Sequence, residues 1–232
     1  MRRSFVRGLR DGTPFLLVIL PFALLFGVAA HEAGLDLAQV MGFSVLVLAG
    51  ASQFTAVQLL ADHAPALIVI VSALAVNLRM AMYSATLVPH LGAAPVGMRA
   101  LVAYLLTDQT FVLADAEYTA RPAQPLAQKL AYFLGASVTV CLPWMAVSAL
   151  GATVGRAIPP SFALDFAVPI TFLAMIAPGL RSLPHLIAAG VSVAAALGFA
   201  FLPHGLGLLV AAPLAMVAGA RAEVWLARRA AA

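Results

Sequence analysis

Charge is what this chain has least of. Of its 232 residues, 9% are Asp, Glu, Lys or Arg and 63% are hydrophobic, whereas a soluble domain carries about 25% charged residues. Together with a mean hydropathy of +1.03, that balance excludes an ordinary soluble enzyme and describes a polytopic membrane protein. Cysteine is nearly missing as well. Cys141 alone allows neither an intrachain disulfide nor a cysteine-ligated metal cluster, and packing inside a helix accounts for it. His31, His63, His90, His185 and His204 fall at segment ends, with no HxxxH or HExxH spacing. No Walker loop, GxSxG or paired-Asp protease motif occurs, so neither an enzyme nor a cofactor is expected. The net charge of +4 comes from basic residues at segment ends, which suits lipid headgroups and not nucleic acid.

What remains is apolar runs of membrane length. A spanning helix needs about 20 mostly apolar residues, and about eight such spans are expected: 13–31, 38–61, 66–89, 98–118, 127–152, 162–179, 184–202 and 205–222, or seven if the crowded region 162–222 holds one fewer. The basic start, Met1 to Arg10, imitates a signal peptide. The apolar run behind it is too long for a signal core and carries Pro14 and Pro21, so it reads as a retained first helix. With the N-terminus cytoplasmic, ten basic residues fall inside and two, Arg99 and Arg156, outside, which puts both termini in the cytoplasm. The fold expected is an all-α transmembrane bundle, one domain over 1–232, with helices kinked or broken where Gly and Pro cluster. A shift of 129 residues aligns Leu35-Asp36-Leu37-Ala38 with Leu164-Asp165-Phe166-Ala167 and Gly50 with Gly179. Either the halves 1–118 and 119–232 repeat or chance identity in an apolar sequence produces the match.

Four polar constellations interrupt the spans. Gly50-Ala51-Ser52-Gln53-Phe54 in span two suggests a helix break whose restart offers free N–H groups to a carboxylate, or else a kink held by Ser and Gln. Asn77-Leu78-Arg79 puts a guanidinium too deep in span three to snorkel, so Arg79 needs an internal anion. Thr107-Asp108-Gln109-Thr110 puts a carboxylate at similar depth in span four. Asp108 is a candidate to pair with Arg79, to bind an ammonium group or to carry a proton. A permanent Arg79–Asp108 bridge that only fixes packing is the other reading. Asp115 and Glu117, further along, form either an acidic path or, more simply, a hydrated interface. The fourth constellation, Pro169 to Pro178-Gly179, should bend span six.

At these motifs the chain resembles the AzlC family of branched-chain amino acid permeases. The matching residues are Gly8-Leu9-Arg10-Asp11-Gly12 with Pro14 and Pro21, Ala51-Ser52-Gln53-Phe54, Asn77-Leu78-Arg79 followed by Tyr83-Ser84, and Thr107-Asp108. The resemblance implies export of valine, leucine, isoleucine or related amino acids such as methionine, coupled to the proton gradient. It also implies a small AzlD-type membrane subunit and a bacterial inner-membrane location. Two positions depart from the family pattern: Met80 stands where histidine is common, and Gln109 where glutamate is. Both changes remove titratable groups and leave Asp108 as the proton carrier of the core. The substrate-binding residues expected are Ser52, Gln53, Phe54, Asn77, Arg79 and Asp108, with Phe54, Phe111 and Met82 as an apolar pocket. A membrane scaffold stapled by Arg79 and Asp108, and a channel for a small polar solute, are the competing readings.

Overall fold

The computed structural model describes residues 1–154, 180, 182–202 and 206–230, and among them it is all helical. The helices are α1 (Arg2–Gly12), α2 (Leu16–Glu32), α3 (Leu37–Leu46), α4 (Gly50–Ala61), α5 (Ala66–Leu91), α6 (Val96–Tyr104), α7 (Asp108–Ala120), α8 (Leu126–Val154), α9 (Leu183–Gly198) and α10 (Leu206–Ala230). Among the described residues, four helical stretches are long and apolar enough to cross a membrane: Arg2–Glu32, Ala66–Leu91, Leu126–Val154 and Val210–Arg229. The residues of the fourth constellation, and the 164–179 half of the repeat match, lie outside the described residues.

Span one corrects its expected boundary. It begins at Arg2, eleven residues before the expected start, because a 3₁₀ turn at Thr13–Phe15 carries α1 into α2 with Pro14 at its start. α1 is buried along Ser4, Gly8 and Gly12, one turn apart, and that stripe lies on α8. A Cβ on Gly8 would collide with the Tyr132 carbonyl, and one on Gly135 with the Phe5 carbonyl. Gly27 and Gly151 make the same close crossing between α2 and α8 further along. In lipid the helix exteriors are as apolar as the core, so close backbone approach between small residues is what holds such helices together. Behind the crossing, Phe22, Phe26, Val40, Phe54 and Trp144 make the main apolar core.

Spans two and four are each two helices. Asp36 caps α3 in a reciprocal box with Gln39, and α3 ends at Leu46. The chain then runs extended through Val47 (φ −128°, ψ 87°) and Ala49 (φ −143°, ψ 88°) before α4 starts at Gly50. That break is where the glycine suggested it. The second break, between α6 and α7, corrects the expectation of one helix over 98–118. It has no Gly or Pro; Thr107 (φ −130°, ψ 170°) restarts the helix by exchanging hydrogen bonds with Thr110. α5 between them is unbroken, with Arg79 thirteen residues from its start. α9 and α10 pack on one another, and no residue of α9 is buried.

Candidate functional site

The two breaks face one cavity. Leu48, Ala49, Gly50 and Ala51 reach it from the first, and Thr107, Asp108 and Gln109 from the second. α2 contributes Val18, Ile19 and Phe22, α8 contributes Val140, Cys141 and Trp144, and α5 contributes Met80. About 40 Å³ of it is accessible to water, room for a few water molecules and less than an amino acid needs. The cavity joins one apolar wall to two helix N-termini and one carboxylate.

The N-termini differ in how they are finished. In α7, Thr107 and Thr110 satisfy one another, and Asp108 sits in the first turn, where the positive end of the helix favours it. No side chain caps α4, so the first-turn N–H groups at Gly50, Ala51 and Ser52 are without intrahelical acceptors. Gly50 is required there by space: a Cβ would lie 2.8 Å from Trp144 Cη2 and 2.9 Å from Phe22 Cε1.

Of the six residues singled out from the sequence, Asp108 lines the cavity itself. Asp108 Oδ2 lies 3.2 Å from Arg79 Nη2, and its Oδ1 accepts a 2.9 Å hydrogen bond from Tyr83 Oη. The side chains of Arg79 and Asp108 remain 26% and 35% exposed. Arg79 Nε and Asn77 Oδ1 have no hydrogen-bond partner. Ser52, Gln53 and Phe54 stand just behind the cavity and shape the break. Gln53 is fully buried and donates to the carbonyls of Phe43, at 2.9 Å, and Val47, tying the start of α4 to the end of α3 across the break; the same two carbonyls also accept from Val47 N and Ala49 N. Ser52 Oγ donates to Ala73 O of α5 at 3.0 Å. Phe54 stacks on Phe22 at 4.8 Å and meets the edge of Phe26 at 5.5 Å. The expected apolar pocket of Phe54, Phe111 and Met82 is not assembled. Phe111 stacks on Tyr83 at 4.2 Å, and Met82 is 59% exposed, because positions two residues apart on the unbroken α5 do not share a face and Met80 is the one turned to the cavity. Trp144, Ile19 and Val140 supply the wall instead. Nothing in their local sequence marks them, since they come from spans that read as plain apolar helices.

A second charged cluster lies where α1, α7 and α8 meet. Glu117, expected as a hydrated interfacial group, is buried. It accepts from Arg7 of α1, from Arg121 Nη1 at 2.6 and 2.8 Å and from Gln124 Nε2 at 2.7 Å. Asp11 accepts from Tyr132 at 3.0 Å, and buried Lys129 has its Nζ 3.3 Å from His90 Nδ1. Among the described residues no group of His, Cys, Asp and Glu is arranged to hold a metal ion.

Comparison with known proteins gives one family and several membrane-protein relatives. The model of the AzlC protein family matches residues 14–158, more than half the chain and both helix breaks. The inner membrane protein YgaZ of Escherichia coli is 24% identical over 222 residues, spanning 93% of this chain and 86% of that protein. A protein of Archaeoglobus fulgidus described as an uncharacterized membrane protein is 28% identical over 213 residues, 90% of each chain. One of Helicobacter pylori with the same description is 31% identical over 114 residues, 47% of this chain and 50% of its own. No solved structure matches the chain.

Proposed function

This chain belongs to the AzlC family, and from that premise we propose that it is the large subunit of a secondary transporter exporting branched-chain amino acids. The observation that carries the reading is the meeting of an uncapped helix N-terminus, a carboxylate and an apolar wall at one cavity between two broken helices. A zwitterion with a hydrocarbon side chain needs those three things together. Its carboxylate suits the α4 N–H groups and the Arg79 guanidinium, its ammonium group suits Asp108, and its side chain suits the wall of α2 and α8. Broken helices that line a cavity are also how membrane transporters place polar backbone at depth.

In this reading Ser52, Gln53 and Phe54 hold the break in shape, and Asn77, two residues from Arg79 on the unbroken α5 and so on another face, offers a side-chain carbonyl oxygen without a partner. Asp108 binds the substrate ammonium and carries the coupled proton, for which Met80 and Gln109, both on the cavity wall, offer no alternative. The chain crosses the membrane eight times, with α3–α4 and α6–α7 crossing as broken pairs and both termini cytoplasmic, as its basic residues favour. A small AzlD-type subunit completes the exporter in a bacterial inner membrane.

The test is efflux of labelled leucine, valine and isoleucine from preloaded proteoliposomes, with and without the small subunit and with and without a proton gradient. Gradient-dependent efflux that needs both subunits is the expected result. A complex that moves none of the three amino acids overturns the reading.

A further inference from the structure

The cavity contains one polar group that neither the sequence motifs nor the charged pair accounts for. Trp144, on α8, is 8% exposed, lines the cavity, and its indole Nε1 has no hydrogen-bond partner. A buried indole N–H ordinarily finds an acceptor, because leaving a buried donor unpaired forfeits its hydration with nothing in return. The ring is held firmly, stacked at 5.9 Å on Phe26 and tilted at 5.6 Å to Phe22, so it cannot turn its N–H elsewhere without unpacking the core. Its orientation toward α4 is fixed by Gly50. A Cβ there would lie 2.8 Å from Cη2 and 3.3 Å from Cζ2. The benzene edge of the indole is what meets α4, and the Nε1 side of the ring lies beyond it. Two sets of donors without partners, one from backbone and one from a side chain 94 residues away, therefore belong to residues that line one small cavity.

We propose that Trp144 is a substrate-binding residue whose indole N–H, together with the first-turn N–H groups of α4, receives the carboxylate of an aliphatic amino acid. The assignment rests on the transport reading above and makes it more specific. The same tryptophan closes the apolar wall formed with Ile19, Phe22 and Val140. One residue then reads both ends of the ligand, donating to the carboxylate and bounding the hydrocarbon chain. Glycine at position 50 is the counterpart of this arrangement, because only a residue without Cβ lets the indole approach the backbone donors.

The experiment uses the reconstituted two-subunit complex and leucine as probe. Trp225, the other tryptophan of this chain, is half exposed under Arg229 on α10, and Trp225→Phe leaves Trp144 as the only indole of the large subunit. Paired with a small subunit whose tryptophans are replaced by phenylalanine, the emission of Trp144 should shift as leucine saturates the site measured by labelled-leucine binding. In the otherwise unchanged chain, Trp144→Phe keeps an aromatic ring beside Phe22 and Phe26, removes the N–H together with the outer part of the indole, and should weaken leucine binding about tenfold or more. A folded Trp144→Phe complex that binds leucine with unchanged affinity overturns the proposal. Emission that stays constant while labelled leucine binds overturns it also, whether or not the Phe variant folds. A complex that neither binds nor exports any branched-chain amino acid overturns the transport reading itself, which separates the two failures.

Discussion

Two carboxylates of α7, nine residues apart, live in opposite circumstances. Asp108, at its first residue, makes one 3.2 Å contact with Arg79 and one hydrogen bond with Tyr83, remains 35% exposed and borders a cavity. Glu117, near its end, is 6% exposed and accepts from Arg7, Arg121 and Gln124 together. A carboxylate so fully satisfied can take no further ligand without losing a partner. It fastens the N-terminal helix to α7. A carboxylate with few contacts, paired to an arginine whose Nε is itself without a partner, has capacity left for something else. Charge in an apolar protein does not by itself identify a site; the unspent hydrogen-bonding capacity around the charge does.

The largest effect expected from breaking this contrast is at Asp108. Asp108→Asn keeps the size, and on the transport proposal the site loses the charge that would receive an ammonium group or a proton. Leucine efflux should fall by about a hundredfold or more, since a site built for a charged partner rejects strongly once that partner is left unpaired. The detergent melting temperature should change little, because Asp108 is only partly buried. Efflux that survives in Asp108→Asn would reduce the pair to a packing device.

Glu117 should give the reverse pattern. Glu117→Ala strands the Arg7 guanidinium against a buried face and should cost about 3–5 kcal/mol of stability. The measurement is the melting temperature of the purified complex together with leucine efflux per folded molecule. Stability should drop, and efflux per folded molecule should be retained. A stable variant that has lost transport would move Glu117 from the frame to the pathway.

The two clusters were unequally legible in the sequence. Arg79 and Asp108 stand out because each interrupts a long apolar run, and the Gly50 break was visible because glycine punctuates its span. The Glu117 cluster was hidden because Arg7 lies 110 residues away and read as a topology signal. Only the spacing Ser4, Gly8, Gly12 hinted that this basic segment packs as a helix. The α6–α7 break had a quieter sign in Thr107 and Thr110, a capping pattern placed in the middle of a span where no cap belongs. Trp144 had no sign at all. Its significance comes from Gly50, which reaches it only in three dimensions.

Neutralising both members of the core pair sharpens the comparison further. If Arg79 and Asp108 served packing alone, Arg79→Met with Asp108→Asn should restore both melting temperature and efflux, since a buried ion pair replaced by groups of similar volume is often neutral. The site reading expects the double variant to melt close to the unsubstituted complex and to export no leucine. Efficient efflux from the double variant would sink that reading.

The smallest expected effect is at Tyr83, which touches the pair without belonging to it. Its ring stacks on Phe111 at 4.2 Å and nearly parallel, and Tyr83→Phe leaves that stack intact while removing the 2.9 Å hydrogen bond to Asp108. One such bond to a charged group contributes about 1.5–3 kcal/mol, but Asp108 retains Arg79 and the α7 N-terminus, so only part of that should be felt. Leucine efflux should persist, with its apparent affinity changed by less than about tenfold. The measurement is leucine efflux against leucine concentration for the two proteins side by side. A loss of apparent affinity of about tenfold or more would place Tyr83 among the groups that hold the substrate directly.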